Sequence, residues 1–256
     1  MAADTLSAAI LNENDPELVA SGVPAYLLLV DGLISRSPDN ESLLAAGAQL
    51  FALYGSRFET DPDRIVTLTA KARDYGERSI CIAYTPACTW QGLDYDDFVS
   101  QLAAIQKKNI DYLYSYAIGW LSYLQATSED WSAVAELPWV EAALERALEL
   151  DETYENGGLH AYLGILDSLR PPALGGKPDA AKAHFERALE LSQGKDLSIK
   201  VEYARRYARM VFDQELHDRL LEEVLASPVE ADGFTLFNVL AKREAEQLLA
   251  SSKEYF

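Results

Sequence analysis

Residues Leu144 to Leu150 read Leu-Glu-Arg-Ala-Leu-Glu-Leu, and Phe185 to Leu191 read Phe-Glu-Arg-Ala-Leu-Glu-Leu. The offset is 41 residues, and six of the seven positions are identical. Each copy sets a bulky residue, an Ala three on and a Leu three further on: Leu144, Ala147 and Leu150, then Phe185, Ala188 and Leu191. That spacing marks one stripe of a helix, where the small Ala admits a neighbouring axis and the large residues fill the grooves on either side. It is the second-helix pattern of a tetratricopeptide-like repeat, whose period is about 34 residues. The surplus of about seven residues over that period falls at Arg170 to Pro178, Arg-Pro-Pro-Ala-Leu-Gly-Gly-Lys-Pro. Proline removes backbone donors and paired glycines raise backbone entropy, so this stretch cannot continue a helix.

The chain has 256 residues, 49% of them hydrophobic and 10% aromatic, which excludes disorder and allows one large domain or two small ones. Against 41 acidic side chains stand 22 basic ones, a formal charge of −19. Nucleic acid is thereby excluded as a partner, since each phosphate contact wants Lys or Arg. The acid is spread evenly, 16 acidic and 8 basic groups in residues 1–128 against 25 and 14 in residues 129–256, so it serves solubility and forms no patch.

Outward from the repeat, the chain reads as eleven or twelve helices and no strand. Leu6 to Leu11 is a short helix. Pro16 opens a longer one, expected to be interrupted near Gly22-Val23-Pro24 and to continue as a buried helix through Tyr26 to Ile34. Ser37-Pro38-Asp39-Asn40 is a turn with a cap, followed by a helix over Glu41 to Phe58, and Asp61-Pro62 starts another over Asp63 to Ile80. Residues 81 to 94 are irregular. Helices follow over Tyr95 to Ile105, Lys107 to Gln125, Pro138 to Leu150, Leu159 to Leu169, Pro178 to Leu191, Ser198 to Phe212, Glu215 to Ala226 and Asp232 to Ser251. The fold class is all-α, read as a single domain over residues 1–256. Degenerate repeats lie at about 16–80, clearer ones at about 108–212 and closing helices at 215–251. No stretch is expected to approach the roughly 20 apolar residues of a membrane span.

The familiar catalytic patterns are absent. Gly175-Gly176-Lys177 lacks the spacing of a phosphate loop, and there is neither a zinc-protease histidine pair nor a Gly-x-Ser-x-Gly elbow. Two cysteines, Cys81 and Cys88, and three histidines do not suffice for a structural zinc site. The thiols read first as buried or free, with a local disulfide as the alternative in an oxidising compartment. Neither an enzyme nor a cofactor is expected.

Candidate binding residues come from chemistry rather than motif. Tyr112, Tyr116 and Trp120 recur every four residues and share one helix face, suiting either a core or the wall of an amphipathic pocket. His160 lies beside Tyr154, Asn156 and Tyr162 at a glycine-rich helix start, whereas His184 reads as structural or surface. Arg205, with Arg206 and Arg209, is either an ion-pair network with Glu202 or a fork for a carboxylate.

Three runs carry a specific likeness: Tyr154-Glu-Asn-Gly-Gly-Leu-His-Ala-Tyr-Leu-Gly, Arg170-Pro-Pro-Ala-Leu-Gly-Gly-Lys-Pro and Ala183-His-Phe-Glu-Arg-Ala-Leu-Glu-Leu-Ser. With Leu18-Val-Ala-Ser-Gly-Val-Pro-Ala-Tyr and Ala72-Arg-Asp-Tyr-Gly upstream, the chain resembles the T component of tetratricopeptide-associated TRAP transporters, the TatT family, over roughly residues 15 to 225. The resemblance implies a periplasmic lipoprotein that forms a homotrimer and pairs with the substrate-binding P component. It also implies a cleft or pore for a small, partly hydrophobic ligand such as an organic acid. The lipidated cysteine is missing. Met1-Ala2-Ala3 reads as an artificial start, so the lack of a leader does not argue for the cytoplasm. Membrane contact is expected only through that lipid anchor.

The leading expectation is therefore a non-enzymatic scaffold of solute uptake. Tyr116, Trp120, Tyr154 and Tyr162 would form the walls of its ligand cleft, with Asn156, His160 or Arg205 as polar anchors. The competing one is a generic peptide-binding repeat adaptor using a concave face.

Overall fold

In a computed structural model of the protein, residues 2–170 and 172–256 are described, with the backbone alone at 2–6 and 174; Pro171, in the expected insertion, lies outside them. Among the described residues there are fourteen α-helices and no strand. The contacts sort into two compact units, one over residues 20–152 and the other over residues 1–19 with 153–256.

The first unit holds most of α2 (Pro16–Arg36), then α3 (Glu41–Arg57), α4 (Pro62–Ala83), a 3-10 segment (Thr85–Gly92), α5 (Tyr95–Leu102), α6 (Ile110–Ala126), α7 (Trp131–Val134) and α8 (Leu137–Leu150). Sequence sets the helix starts. The side chains of Asn40, Asp61, Asp94 and Asp130 each accept from a backbone N–H one turn in, using donors that a helix N-terminus leaves unpaired. Helix α4 is central, packing against both α3 and α6. The α4–α6 crossing is close because Ala72 and Gly76 face Ser115 and Gly119. A Cβ on Gly76 would lie 2.9 Å from the Ser115 carbonyl oxygen, and one on Gly119 would lie 2.5 Å from that of Ala72. Helix α2 is tied to α4 through Asp31, which accepts from Lys71 Nζ and from the Tyr75 hydroxyl, both at 2.5 Å.

Several expectations are corrected here. Helix α2 is continuous through Pro24. The carbonyl that a proline at that position deprives of its helical donor, that of Ala20, receives the Tyr54 hydroxyl at 3.5 Å instead. Because the helix does not break, Pro16–Arg36 is long and apolar enough to cross a membrane by length and composition. Nor is it buried all round: Val23, Leu27 and Ile34 face inward while Leu28, Leu29 and Leu33 are exposed, Leu28 at 74%. A further correction is covalent. Cys81 and Cys88 form a disulfide, so the thiols are not free. The bond fastens the Thr85–Gly92 segment to the end of α4.

The second unit contains α1 (Ala2–Leu11), the first residues of α2, α9 (Gly158–Asp167), α10 (Pro178–Leu191), α11 (Leu197–Glu202), α12 (Gln214–Ala226), α13 (Thr235–Ala250) and α14 (Ser252–Tyr255). Its core is built on Phe185, Ala188, Leu197, Ile199, Tyr203, Leu221 and Ala245, with Phe185 stacked on Tyr203 at 5.0 Å between ring centroids. The expected single helix over Ser198 to Phe212 carries a π-helical turn at Tyr203–Ala208. Asn12 ties α1 to the loop before α13, donating to Asp232 at 3.1 Å and accepting from the Gly233 N–H at 2.7 Å.

The seven-residue signature occurs once in each unit, and the copies behave alike. Leu144 and Ala147 are fully buried in α8, as are Phe185 and Ala188 in α10. Both copies close the same ion pair three residues apart, Arg146 to Glu149 at 2.7 Å and Arg187 to Glu190 at 2.9 Å.

Candidate functional site

In the first unit, α6 brings Tyr116 and Trp120 together, with ring centroids 5.3 Å apart. Both are buried, at 4% and 6% exposure. Tyr112 shares their helix spacing but points its hydroxyl to Ser42 of α3 at 3.3 Å. Trp90, from the disulfide-fastened segment, packs on Tyr116 at 5.4 Å and on Phe98 at 5.2 Å, and its indole N–H donates to Gln101 at 2.9 Å.

The polar side of this aromatic wall is Arg73 of α4. Its guanidinium lies over Trp120 at 5.0 Å and Tyr123 at 5.3 Å, the stacking that planar arginine favours. Its Nε bonds Glu77 at 2.9 Å and its Nη1 bonds Glu136 at 2.9 Å. The same Oε2 of Glu136 accepts the Trp120 indole N–H at 2.7 Å. Glu77 is held in turn by Gln91 of the 3-10 segment, at 2.5 Å. Burial works against the charge of Arg73, but the two carboxylates outweigh it and hold its pKa above the ordinary arginine value. Burial, reinforced by Glu77, pushes the Tyr116 phenol well above its ordinary range, so it stays a neutral donor. Chemically the cluster is a hydrogen-bonding, cationic spot framed by flat apolar rings, a combination suited to an anion with an apolar body.

The other expected residues belong to the second unit. Tyr154 and Asn156 lie in a 3-10 turn (Tyr154–Gly157) where Glu155, Asn156 and Gly157 all have positive φ, at 54°, 50° and 97°. Asn156 lines a surface groove of about 420 Å³ with Gln193, Lys195, Glu230, Asp232 and Phe234. His160 and Tyr162 follow on α9, Tyr162 half-buried. His160 is buried and meets His184 of α10, Nδ1 to Nδ1 at 2.8 Å, so one imidazole donates and the other accepts. Arg205 bonds Glu202 at 2.9 Å and also Glu244, and Arg206 reaches Glu202 at 3.4 Å, the ion-pair arrangement that the spacing allowed.

Sequence reasoning missed Arg73, Glu77 and Glu136. Arg73 and Glu77 are one helical turn apart, a visible signal, but nothing in the sequence linked them to Glu136, just before α8. It also missed the partnership of His160 with His184.

Fold and site define an all-α protein of packed helix pairs whose polar chemistry is gathered in ion-paired aromatic clusters. The chain belongs to the TRAP transporter T-component family, TAtT, matched over residues 12–256. It is therefore a component associated with a TRAP transporter system, in a family of transporter accessory proteins not known as enzymes. Membership also points to a periplasmic or membrane-associated setting. A Treponema pallidum (strain Nichols) protein described only as uncharacterized is 22% identical over 263 residues, covering 95% of this chain and 81% of the relative.

Proposed function

We propose that the protein is a periplasmic, non-enzymatic scaffold of a TRAP-type uptake system that forms a homotrimer, docks the substrate-binding P component and holds a small, partly hydrophobic organic acid. Membership of the T-component family over nearly the whole chain carries this reading. The ligand part is supported by the aromatic wall of Tyr116 and Trp120 beside the Arg73 guanidinium. Tyr154, Asn156, His160, Tyr162 and Arg205, all in the second unit, stay in the proposal as ligand contacts of that unit by itself. The repeated burial pattern and ion pair of the two seven-residue signatures support tetratricopeptide-like repeats. The exposed Leu28, Leu29 and Leu33 of α2 give the assembly an apolar surface to cover, whether by another copy or by a partner.

Native mass spectrometry, with and without the TRAP substrate-binding protein of the same genome, tests the reading. A trimer of the 28.3 kDa chain that takes up the binding protein is the expected result. A monomer that ignores it would overturn the scaffold and favour a peptide-binding adaptor. Trp120→Ala tests the cleft: if both ligand affinity and assembly are unchanged, Trp120 is not part of it.

A further inference from the structure

We infer that Arg73 is the carboxylate-binding residue of this protein and that Glu136 is an internal stand-in, displaced when a monocarboxylate with an apolar body binds against Trp120 and Tyr123. The inference rests on the organic-acid reading above and adds to it the anchor, the charge state of the ligand and the step that opens the site.

Glu136 already occupies the position a bound anion would take. A single oxygen, Oε2, accepts from Arg73 Nη1 at 2.9 Å and from the Trp120 indole N–H at 2.7 Å. Two convergent donors, one charged, are the usual reception for a carboxylate oxygen. The rings on which the guanidinium lies are apolar, Trp120 buried and Tyr123 half-buried, and moving Glu136 off the Trp120 indole would open them to the rest of a ligand. Tyr116 packs beside Trp120 with ring centroids 5.3 Å apart, and burial keeps its phenol neutral. A ligand oxygen seated between Arg73 and Trp120 is in its neighbourhood.

Of the two carboxylates on Arg73, Glu136 is the one that can leave. Glu77 is one turn away on the same helix, is tied to Gln91 of the disulfide-fastened segment, and has only 20% of its side chain exposed. Glu136 is 38% exposed and lies outside any helix, between the four-residue α7 and the first residue of α8. Residues 128–132 before it are all exposed, Trp131 at 85%. Of residues 128–136 only Ala133 is buried, so little packing opposes a swing of this segment, the condition under which local opening is easy. The exchange also conserves charge. One carboxylate replaces another on the same guanidinium, so no buried ion is left unpaired, the costly outcome in such sites. A dicarboxylate would bring a second negative charge toward Glu77 and a chain of net charge −19, with no further cation bonded to the cluster among the described residues, which restricts the class to monocarboxylates.

The test is chemical rescue on the full chain. Glu136→Ala empties the seat, and propionate, a small monocarboxylate close in size to the side-chain end removed, should refill it. Thermal melts of Glu136→Ala should rise with millimolar propionate and not with propionamide, while wild type responds to neither. By calorimetry, phenylacetate should bind Glu136→Gln about tenfold more tightly than wild type, since the competing charge is gone. Phenylacetamide should bind both alike, and Arg73→Lys should lose the preference for acid over amide. If acid and amide bind equally, or if Glu136→Gln leaves the acid's affinity unchanged, the displacement is wrong while a ligand-holding function survives. If no variant binds or responds to any of these probes, the organic-acid reading fails together with the inference.

Discussion

Gly119 of α6 lies so close to Ala72 of α4 that a Cβ on it would stand 2.5 Å from the Ala72 carbonyl oxygen. The obstacle is backbone, which cannot rotate away as a flexible side chain can. Gly119→Ala therefore forces α4 and α6 apart and should cost about 1–3 kcal/mol, the range for overpacking a tight contact. Gly22→Ala on α2 is the control. Nothing lies within 4 Å of its Cβ, so that variant should match wild type or gain up to about 1 kcal/mol from helix propensity. Urea denaturation of the two variants decides it, and equal stability would mean that the crossing is looser than described.

Phe185 should be the most costly residue of the repeat signature to truncate. It is fully buried, stacks on Tyr203 at 5.0 Å and fills the space left by Gly164, whose Cβ would be 3.1 Å from the Phe185 ring. Phe185→Ala should cost about 3–5 kcal/mol, the usual range for deleting a buried aromatic. Glu186→Ala, one position on and exposed, should stay within about 0.5 kcal/mol of wild type. Thermal melts that rank these two variants the other way would show that the signature's stripe is not its core.

What could be read from the sequence tracks the reach of the interactions. Residue periods and caps act within a turn or two, so Asn40, Asp61 and Pro16 marked helix starts, and the Ala147 and Ala188 stripe marked a buried face. Pro24 misled because its effect depends on a distant residue: the Tyr54 hydroxyl reaches the Ala20 carbonyl, 34 positions away in sequence, and the helix carries on. The candidate site was half visible for the same reason. Tyr116 and Trp120 announce each other by spacing, but Arg73 meets Glu136 and Trp120 only because small residues let α4 and α6 approach closely. His160 and His184 were judged one at a time, since their 24-residue separation gives no sign that α9 and α10 set them ring to ring.

The Cys81–Cys88 disulfide should matter locally. Closing so short a loop restricts the unfolded chain by about 2–3 kcal/mol in the chain-entropy account. Replacing both cysteines by alanine should lower stability by up to that amount and loosen the Thr85–Gly92 segment, which carries Trp90 and Gln91. Hydrogen exchange over residues 85–92 should accelerate, and α3, fastened elsewhere, should not change. Unchanged protection in the segment would mean that Trp90, packed on Phe98 and Tyr116, holds it without the bond.

Glu17 and Arg243 form a bidentate pair, Nη1 to Oε1 at 2.5 Å and Nη2 to Oε2 at 3.1 Å, joining the start of α2 to α13. The Arg243 hydrogen bonds, followed by one within Glu17 itself, lower the Glu17 carboxyl from 4.5 to about 2. A depressed carboxyl stabilises the folded state above its unfolded pKa. The contribution is therefore complete above pH 4.5 and is lost as the pH falls from there through about 2. Both side chains are largely exposed, so salt should weaken the effect and the stability at stake is small. The carboxyl itself is the sensitive reporter. Followed by NMR at low ionic strength, Glu17 should titrate near 2 in wild type and return toward 4.5 in Arg243→Met. A wild-type midpoint near 4.5 would mean that the fork geometry does not persist in solution and that α2 begins unfastened from α13.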